Sequence, residues 1–239
     1  MKYLKFFENF TQTQIEGVES TEIEDVESTE SNPDEKKIYI LIGPPAVGKS
    51  TWVENNLGNE DLHVINRDEI AEEVAEENDL TYDDMFAKPG QDKNIGDKQE
   101  KYGEVIASPS WMTWQPLSWS KISELNTEIQ KRFDQKVSDS SGKSCVVVDM
   151  TNMSKKSRKG ILDKVIAATG SKYKKIAVDF EFRGFEGVIK SAAKRRSEEY
   201  KSRGSSKTIG DDVIDRMISQ YEPPTLDEGF DEIIVAPHY

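Results

Sequence analysis

Ile38-Tyr39-Ile40-Leu41-Ile42 runs directly into Gly43-Pro44-Pro45-Ala46-Val47-Gly48-Lys49-Ser50-Thr51, and this junction limits the possible folds more than any other feature. An unbroken apolar run rich in β-branched residues suits a strand buried on both faces, as in a parallel sheet. The loop that follows is bounded by glycines, so successive backbone N–H groups can turn inward around a phosphate. A helix predicted over 49–57 adds the positive end of its dipole at the same place. In such a loop Lys49 reaches β- and γ-phosphates, and the Ser50 hydroxyl ligates Mg²⁺. Gly43, Pro44, Pro45, Ala46, Val47, Gly48, Lys49, Ser50 and Thr51 are therefore the candidate nucleotide-binding residues. The bland alternative is an ordinary strand–turn–helix.

Downstream, the pattern alternates. Strands are predicted at 38–42, 62–66, 144–148, 174–181 and 231–235, and helices at 49–57, 68–78, 121–137, 155–168, 186–199 and 210–220. Strands alternating with helices predict an α/β fold, with a parallel sheet covered by helices on both faces. Residues 79–120 break the rhythm with prolines, glycines and three tryptophans, Trp111, Trp114 and Trp119. That stretch is too long for a plain connection and reads as a functional insertion. Its tryptophans either stack on exposed bases or build a small core of their own.

Charge divides the chain further. The formal net charge is −13, yet residues 1–35 hold 10 acidic and 2 basic side chains while residues 155–207 hold 16 basic and 6 acidic. The first segment lacks the apolar content to offset its ordering entropy and is expected to be a disordered acidic tail. That leaves one domain over 36–239. The basic block reads either as a solvated helical face or as a local surface for a polyanion, since phosphate contacts act over about 10 Å. The single cysteine, Cys145, sits in an apolar run and is expected in the core. With no cysteine framework, a reducing cytoplasm is the default compartment. No apolar run has membrane-spanning length and no signal peptide opens the chain, so no membrane partner is expected.

Three further places carry possible chemistry. Asp68 follows the strand ending Val64-Ile65-Asn66. There it stands at the carboxyl edge of the sheet, where open α/β sheets bind ligands. It could accept a proton from an acceptor hydroxyl, or simply cap the helix that follows. Asp149 ends the buried run Cys145-Val146-Val147-Val148, where an aspartate can hold Mg²⁺, orient an acceptor or hold a lid side chain. Beside it, Asn152 or Ser154 is placed to cap the next helix. Arg195, Arg196 and Arg203 flank a helix end near Gly204. From there arginines can swing over bound phosphates, or merely make the surface basic.

These blocks, in this order, resemble the 5′-hydroxyl polynucleotide kinase family in its phage and eukaryotic repair branches. The P-loop with Trp52 behind it, Asn66-Arg67-Asp68, Asp149-Met150-Thr151-Asn152, the arginines ending at Arg203, Ile209-Gly210-Asp211-Asp212-Val213-Ile214, and Tyr221-Glu222-Pro223-Pro224-Thr225-Leu226-Asp227-Glu228-Gly229-Phe230-Asp231 all have counterparts there. The resemblance implies ATP and Mg²⁺ as cofactors, with Ser50 and Asp149 at the metal. It implies Asp68 as general base, Lys49 and Arg203 on the transferring phosphate, and a DNA or RNA 5′ end as substrate. Asp149, Thr151, Asn152, Arg195 and Arg196 would then line the substrate site. The chain departs from the family at Ala71, where relatives often carry an arginine, and at Gly210, where they usually carry proline. It also lacks the Asp-x-Asp-Gly signature of a phosphatase half. A kinase of a small acceptor, such as a nucleoside, and a non-catalytic ATP-binding module are the competing readings.

Overall fold

The computed structural model describes residues 35–58, 61–86, 119–203 and 206–238. The predicted acidic tail up to residue 34 lies outside them. So do residues 87–118 of the predicted insertion, with Trp111 and Trp114, and the side chain of Trp119.

Five strands form one parallel sheet: β1 (Lys37–Ile42), β2 (Leu62–Ile65), β3 (Cys145–Val148), β4 (Lys174–Phe180) and β5 (Glu232–Ala236). Their spatial order is β2-β3-β1-β4-β5, with every pair parallel. The helices are α1 (Lys49–Leu57), α2 (Arg67–Glu77), α3 (Tyr82–Phe86), α4 (Trp119–Ser138), α5 (Lys155–Thr169), α6 (Glu186–Ser202) and α7 (Asp211–Ser219). Because alternate strand residues face opposite sides, each sheet face has its own core. Ile38, Ile40, Ile42, Ile65, Val146, Val148 and Ala177 pack against α2, α4 and α5. Tyr39, Leu41, Val147, Ile176, Val178 and Phe180 pack against α1, α6 and α7. This is an α/β domain of the P-loop NTPase type: the alternation predicts the covered parallel sheet, and the Gly43–Thr51 loop after β1 predicts the type. Cys145 sits in the second core, 1 % exposed.

Local chemistry sets the boundaries. β2 stops at Ile65 because Asn66 turns out of the strand and caps α2; its side chain accepts from the Asp68 and Glu69 N–H groups. α4 presents Leu125, Ile129, Phe133 and Val137 at four-residue intervals, one buried stripe along its length. Ser154, not Asn152, caps α5 by accepting from Ser157 N–H. α6 runs past its predicted end at residue 199 to Ser202. α3 falls within the predicted insertion, where no helix is expected from the sequence. Ala71 is 1 % exposed on the core side of α2, so a side chain at that position packs inward rather than reaching an acceptor.

The C-terminal block is fastened from inside by Arg158 on α5, which is fully buried. Its guanidinium donates to both carboxylate oxygens of Glu228, at 2.8 and 2.7 Å. It also donates to the carbonyls of Asn152 (3.2 Å), Met153 (3.3 Å), Glu222 (2.8 Å) and Pro223 (3.3 Å). Removing one partner of such a pair strands the other charge in the core, at a cost of about 3–5 kcal/mol. Arg158→Met is therefore expected to lower the urea midpoint steeply. The double variant Arg158→Met/Glu228→Gln should recover part of the loss, which a double-mutant cycle from urea melts reads directly.

Candidate active site

The loop after β1 is held open by two left-handed residues, Ala46 (φ 63°) and Gly48 (φ 101°). Such conformations in close succession turn backbone N–H groups toward one concavity, which suits an anion. Gly43 is buried, and a Cβ there would lie 2.9 Å from Val47 Cγ1 and 3.2 Å from Phe180 Cβ. A larger residue would push the loop away from β4. Trp52 anchors the following helix: it is 6 % exposed, with its ring edge-on to Phe180 at 6.3 Å and tilted on Tyr39 at 5.9 Å. Pro44 is buried, Pro45 half-buried, and Ser50 and Thr51 lie exposed on the first turn of α1.

A second stitch joins this loop to the end of β3. Gly43 N–H donates to Thr151 O at 3.0 Å, and Asp149 N–H to Ile65 O at 3.0 Å. Asn152, itself left-handed (φ 47°) and 2 % exposed, donates its amide to Leu41 O at 2.9 Å. The block Asp149–Asn152 thus ties the ends of β1 and β2 together, and Asp149 faces the loop. Asn152 spends its side chain on the backbone of β1, while Thr151 and Asp149 remain half-buried at the edge.

Lys49, Asp149 and Asp68 share one electrostatic neighbourhood. The Lys49 ammonium donates to Gly43 O (3.2 Å) and Pro44 O (3.1 Å). Burial lowers its pKa, and the Asp149 and Asp68 charges partly oppose that. Arg196 and Lys207 act on it in the same direction as burial, so α6 and the segment after it also border the site. Glu69 is pushed up by burial and by the Asp149 charge. Asp68 is exposed at the start of α2, and since Asn66 supplies the cap, the Asp68 carboxylate is not engaged in capping. Its oxygens face Tyr82 Oη (3.2 Å) and Lys207 Nζ (3.3 Å). Lys207 carries no sequence signal of its own. Burial pulls its ammonium down, but the Asp68 and Glu72 charges outweigh that and raise its pKa.

The arginines are arranged less tightly. Arg195 and Arg196 are exposed on α6, and Arg203 caps its C-terminal end with its side chain exposed. None of the three forms an ion pair among the described residues, so their guanidinium groups are available to an incoming anion. Among the described residues no group of three or more His, Cys, Asp and Glu is gathered to hold a metal. The oxygen donors at the edge, Ser50 and Asp149, suit Mg²⁺, which binds through few protein oxygens together with phosphates.

A cavity of about 300 Å³ opens at the carboxyl end of β4. Asp179, Phe182, Arg183, Phe185, Tyr221 and Pro223 line it. Asp179 pairs in register with Ile42, the residue before the loop. Tyr221 Oη donates to Asp179 Oδ2 at 2.6 Å, and the Arg183 guanidinium lies 4.7 Å over the Tyr221 ring. Asp179 Oδ1 is buried and lacks a hydrogen-bond partner among the described residues. Burial holds this carboxyl above the usual range. The sequence offered no sign of this cavity, because the pair that joins its walls, Asp179 and Tyr221, is 42 residues apart.

Residues 38–224 match the model of a family described as an AAA domain. A search of curated proteins found no match. Among solved structures, the chain is similar to a candidate kinase from Chloroflexus aurantiacus, at 11 % identity and TM-score 0.45, over 86 % of this chain and 87 % of that one. A structure from the PezAT toxin–antitoxin system of Streptococcus pneumoniae is 14 % identical, with TM-score 0.43, over 89 % and 72 %. TT1252 from Thermus thermophilus is 12 % identical, with TM-score 0.38, over 84 % and 88 %. No helix among the described residues is long and apolar enough to cross a membrane.

The lowered pKa of Lys49 has a sign that can be tested. The folded protein holds this proton less tightly than the unfolded chain, so the charge opposes folding at neutral pH. The penalty fades as pH rises from the depressed value toward 10.5. Lys49→Met is expected to melt at the same temperature as the wild type or higher without nucleotide. Saturating ATP should raise the wild-type melting temperature, by about 2.7 kcal/mol of added stability at a hundredfold excess over Kd, and should raise the variant's far less. Thermal melts with and without ATP measure both effects.

Proposed function

We propose that this chain, which belongs to the AAA-domain family, is an ATP-dependent kinase that transfers the γ-phosphoryl group to the 5′-hydroxyl end of a polynucleotide. One observation carries the kinase reading. A carboxylate relieved of capping duty, Asp68, stands in the same charge field as the P-loop lysine and Asp149, at the carboxyl edge of the sheet.

In this reading the loop N–H groups and Lys49 grip the β- and γ-phosphates. The nucleoside part of ATP lies in the cavity walled by Phe182, Arg183, Phe185 and Tyr221. Ser50 and Asp149 would hold Mg²⁺, which would offset charge on the phosphate oxygens. The acceptor oxygen attacks Pγ, and its proton passes to the Asp68 carboxylate. The bond from Pγ to the bridging oxygen breaks, and ADP leaves. Arg196 and Arg203 supply positive charge to the phosphoryl group in flight.

The acceptor class rests on the exposed cations of α6 and its end: Lys194, Arg195, Arg196, Lys201 and Arg203. In a protein of net charge −13 this face is a local surface for a phosphate backbone. The resemblance of the ordered motifs to 5′-hydroxyl polynucleotide kinases points the same way.

γ-Labelled ATP offered with a 5′-hydroxyl oligonucleotide and, separately, with a panel of nucleosides tests this. The oligonucleotide should take the label, and its apparent affinity should fall as salt rises, because phosphate contacts release counterions. Label on nucleosides alone would move the enzyme to small acceptors. Tight ATP binding with no transfer would make it a binding module. Asp68→Asn should lower turnover about 10²–10⁴-fold, the range for loss of a general base. ATP affinity should hardly move; the Asn66 cap stays, and the melting temperature should fall only by the loss of the half-exposed ion pair to Lys207.

A further inference from the structure

Lys207 lies between α6 and α7, and its side chain is only 11 % exposed. Lysines are rarely so buried unless paired, and this one is paired on several sides. Its ammonium is 3.3 Å from Asp68 Oδ2 and bonds to Glu72 Oε1, one helical turn further along α2. It lies 4.5 Å over the Tyr82 ring and 5.8 Å from the Tyr200 ring. Tyr82 Oη, from α3, donates to the other Asp68 oxygen at 3.2 Å.

Each Asp68 oxygen is thus held by one partner. The side chain itself is 55 % exposed, so packing alone does not fix its rotamer. Each oxygen keeps a second lone pair for an acceptor hydroxyl. The seat of Lys207 is fixed in turn by one residue, Asp83. Asp83 N–H donates to Ser206 O at 3.1 Å. The Asp83 carboxylate accepts from the Ser206 hydroxyl on one oxygen and from Thr208 N–H, at 2.8 Å, on the other. The residues on both sides of Lys207 are therefore clamped to the same short helix that supplies Tyr82.

We propose that Lys207 is a positioning residue for the phosphoryl transfer. It holds the Asp68 carboxylate in one orientation, and it makes that orientation depend on residues 206–208 being seated on Asp83. The proposal rests on the reading of Asp68 as proton acceptor. It gives the segment after the basic helix a direct hand in the chemistry: when 206–208 leave Asp83, Asp68 loses one of its two restraints.

The test is steady-state kinetics on the full chain, with a 5′-hydroxyl oligonucleotide as acceptor and with water as second acceptor, read as ATP hydrolysis. Lys207→Met should lower kcat about 10–100-fold, the scale of loss when a reacting group is misplaced. The KM for ATP should stay within about twofold, the pattern expected when uniform binding is untouched. Lys207→Arg should restore most of the rate, and Asp83→Ala should reproduce the loss with Lys207 intact. On an Asp68→Asn background, Lys207→Met should add no further loss. Thermal melts of every variant separate these effects from unfolding.

Normal turnover in Lys207→Met, with Asp68→Asn crippled, overturns the positioning role and leaves the reading of Asp68 standing. An undiminished loss on the Asp68→Asn background also overturns it, because Lys207 would then act on something other than Asp68. A rise in kcat overturns it in favour of a restraining contact. Normal turnover in Asp68→Asn removes the proton-acceptor reading, and the proposal falls with it.

Discussion

The buried guanidinium of Arg158 reaches in two directions at once. On one side it takes the carbonyls of Asn152 and Met153, and Asn152 in turn holds the carboxyl end of β1 through Leu41 O. On the other side it takes the carbonyls of Glu222 and Pro223 and the carboxylate of Glu228. Glu228 also accepts from Thr225 N–H, closing a capping box around a short helical turn. The strand end that carries the phosphate loop and the segment that carries Tyr221 are therefore referenced to one side chain. A cation of five fixed N–H donors suits this work, because its plane dictates where each acceptor must lie. Lysine would deliver the charge without the geometry.

What was legible in the sequence was local. Ile38–Ile42 and Cys145–Val148 announce central strands because every side chain in them is apolar, and a parallel sheet buries both faces. The Gly43–Thr51 loop is readable because its glycines and its lysine act within a few residues of one another. The roles that stayed open turned on single hydrogen bonds. Asp68 and Asn66 are both good caps, and the task falls to Asn66 because the helix begins one residue later, at Arg67, and its first free N–H groups are those of Asp68 and Glu69. Asn152 and Ser154 pose the same choice, settled in favour of Ser154.

What was illegible spans long separations. Arg158 meets Glu228 across 70 positions, and Lys207 meets Glu72 across 135. In the sequence Arg158 is one cation in a basic block, indistinguishable by charge from its exposed neighbours Lys156 and Lys159. Its spacing from Ile161, Leu162 and Val165 does put it on the apolar face of α5, but the distant carboxylate that lets a cation stay there is not visible in the local pattern. Ala71 makes the opposite point. It looked like a missing acceptor contact, but it lies on the face of α2 that packs into the core, where a small residue lets helix and sheet approach.

Cys145 is the chain's single cysteine, and it stands at the first residue of β3, flanked by β1 and β2. At 1 % exposure its sulfur meets solvent only when the core between the sheet and α1, α6 and α7 opens. Thiolate attack on a water-soluble disulfide or alkylating reagent requires that access. The protein thus carries its own clock for large-scale opening: the rate of thiol modification counts excursions in which the helices of that face leave the sheet. Motions limited to the loops around the site leave that clock untouched, so it divides breathing of the active site from loss of the fold.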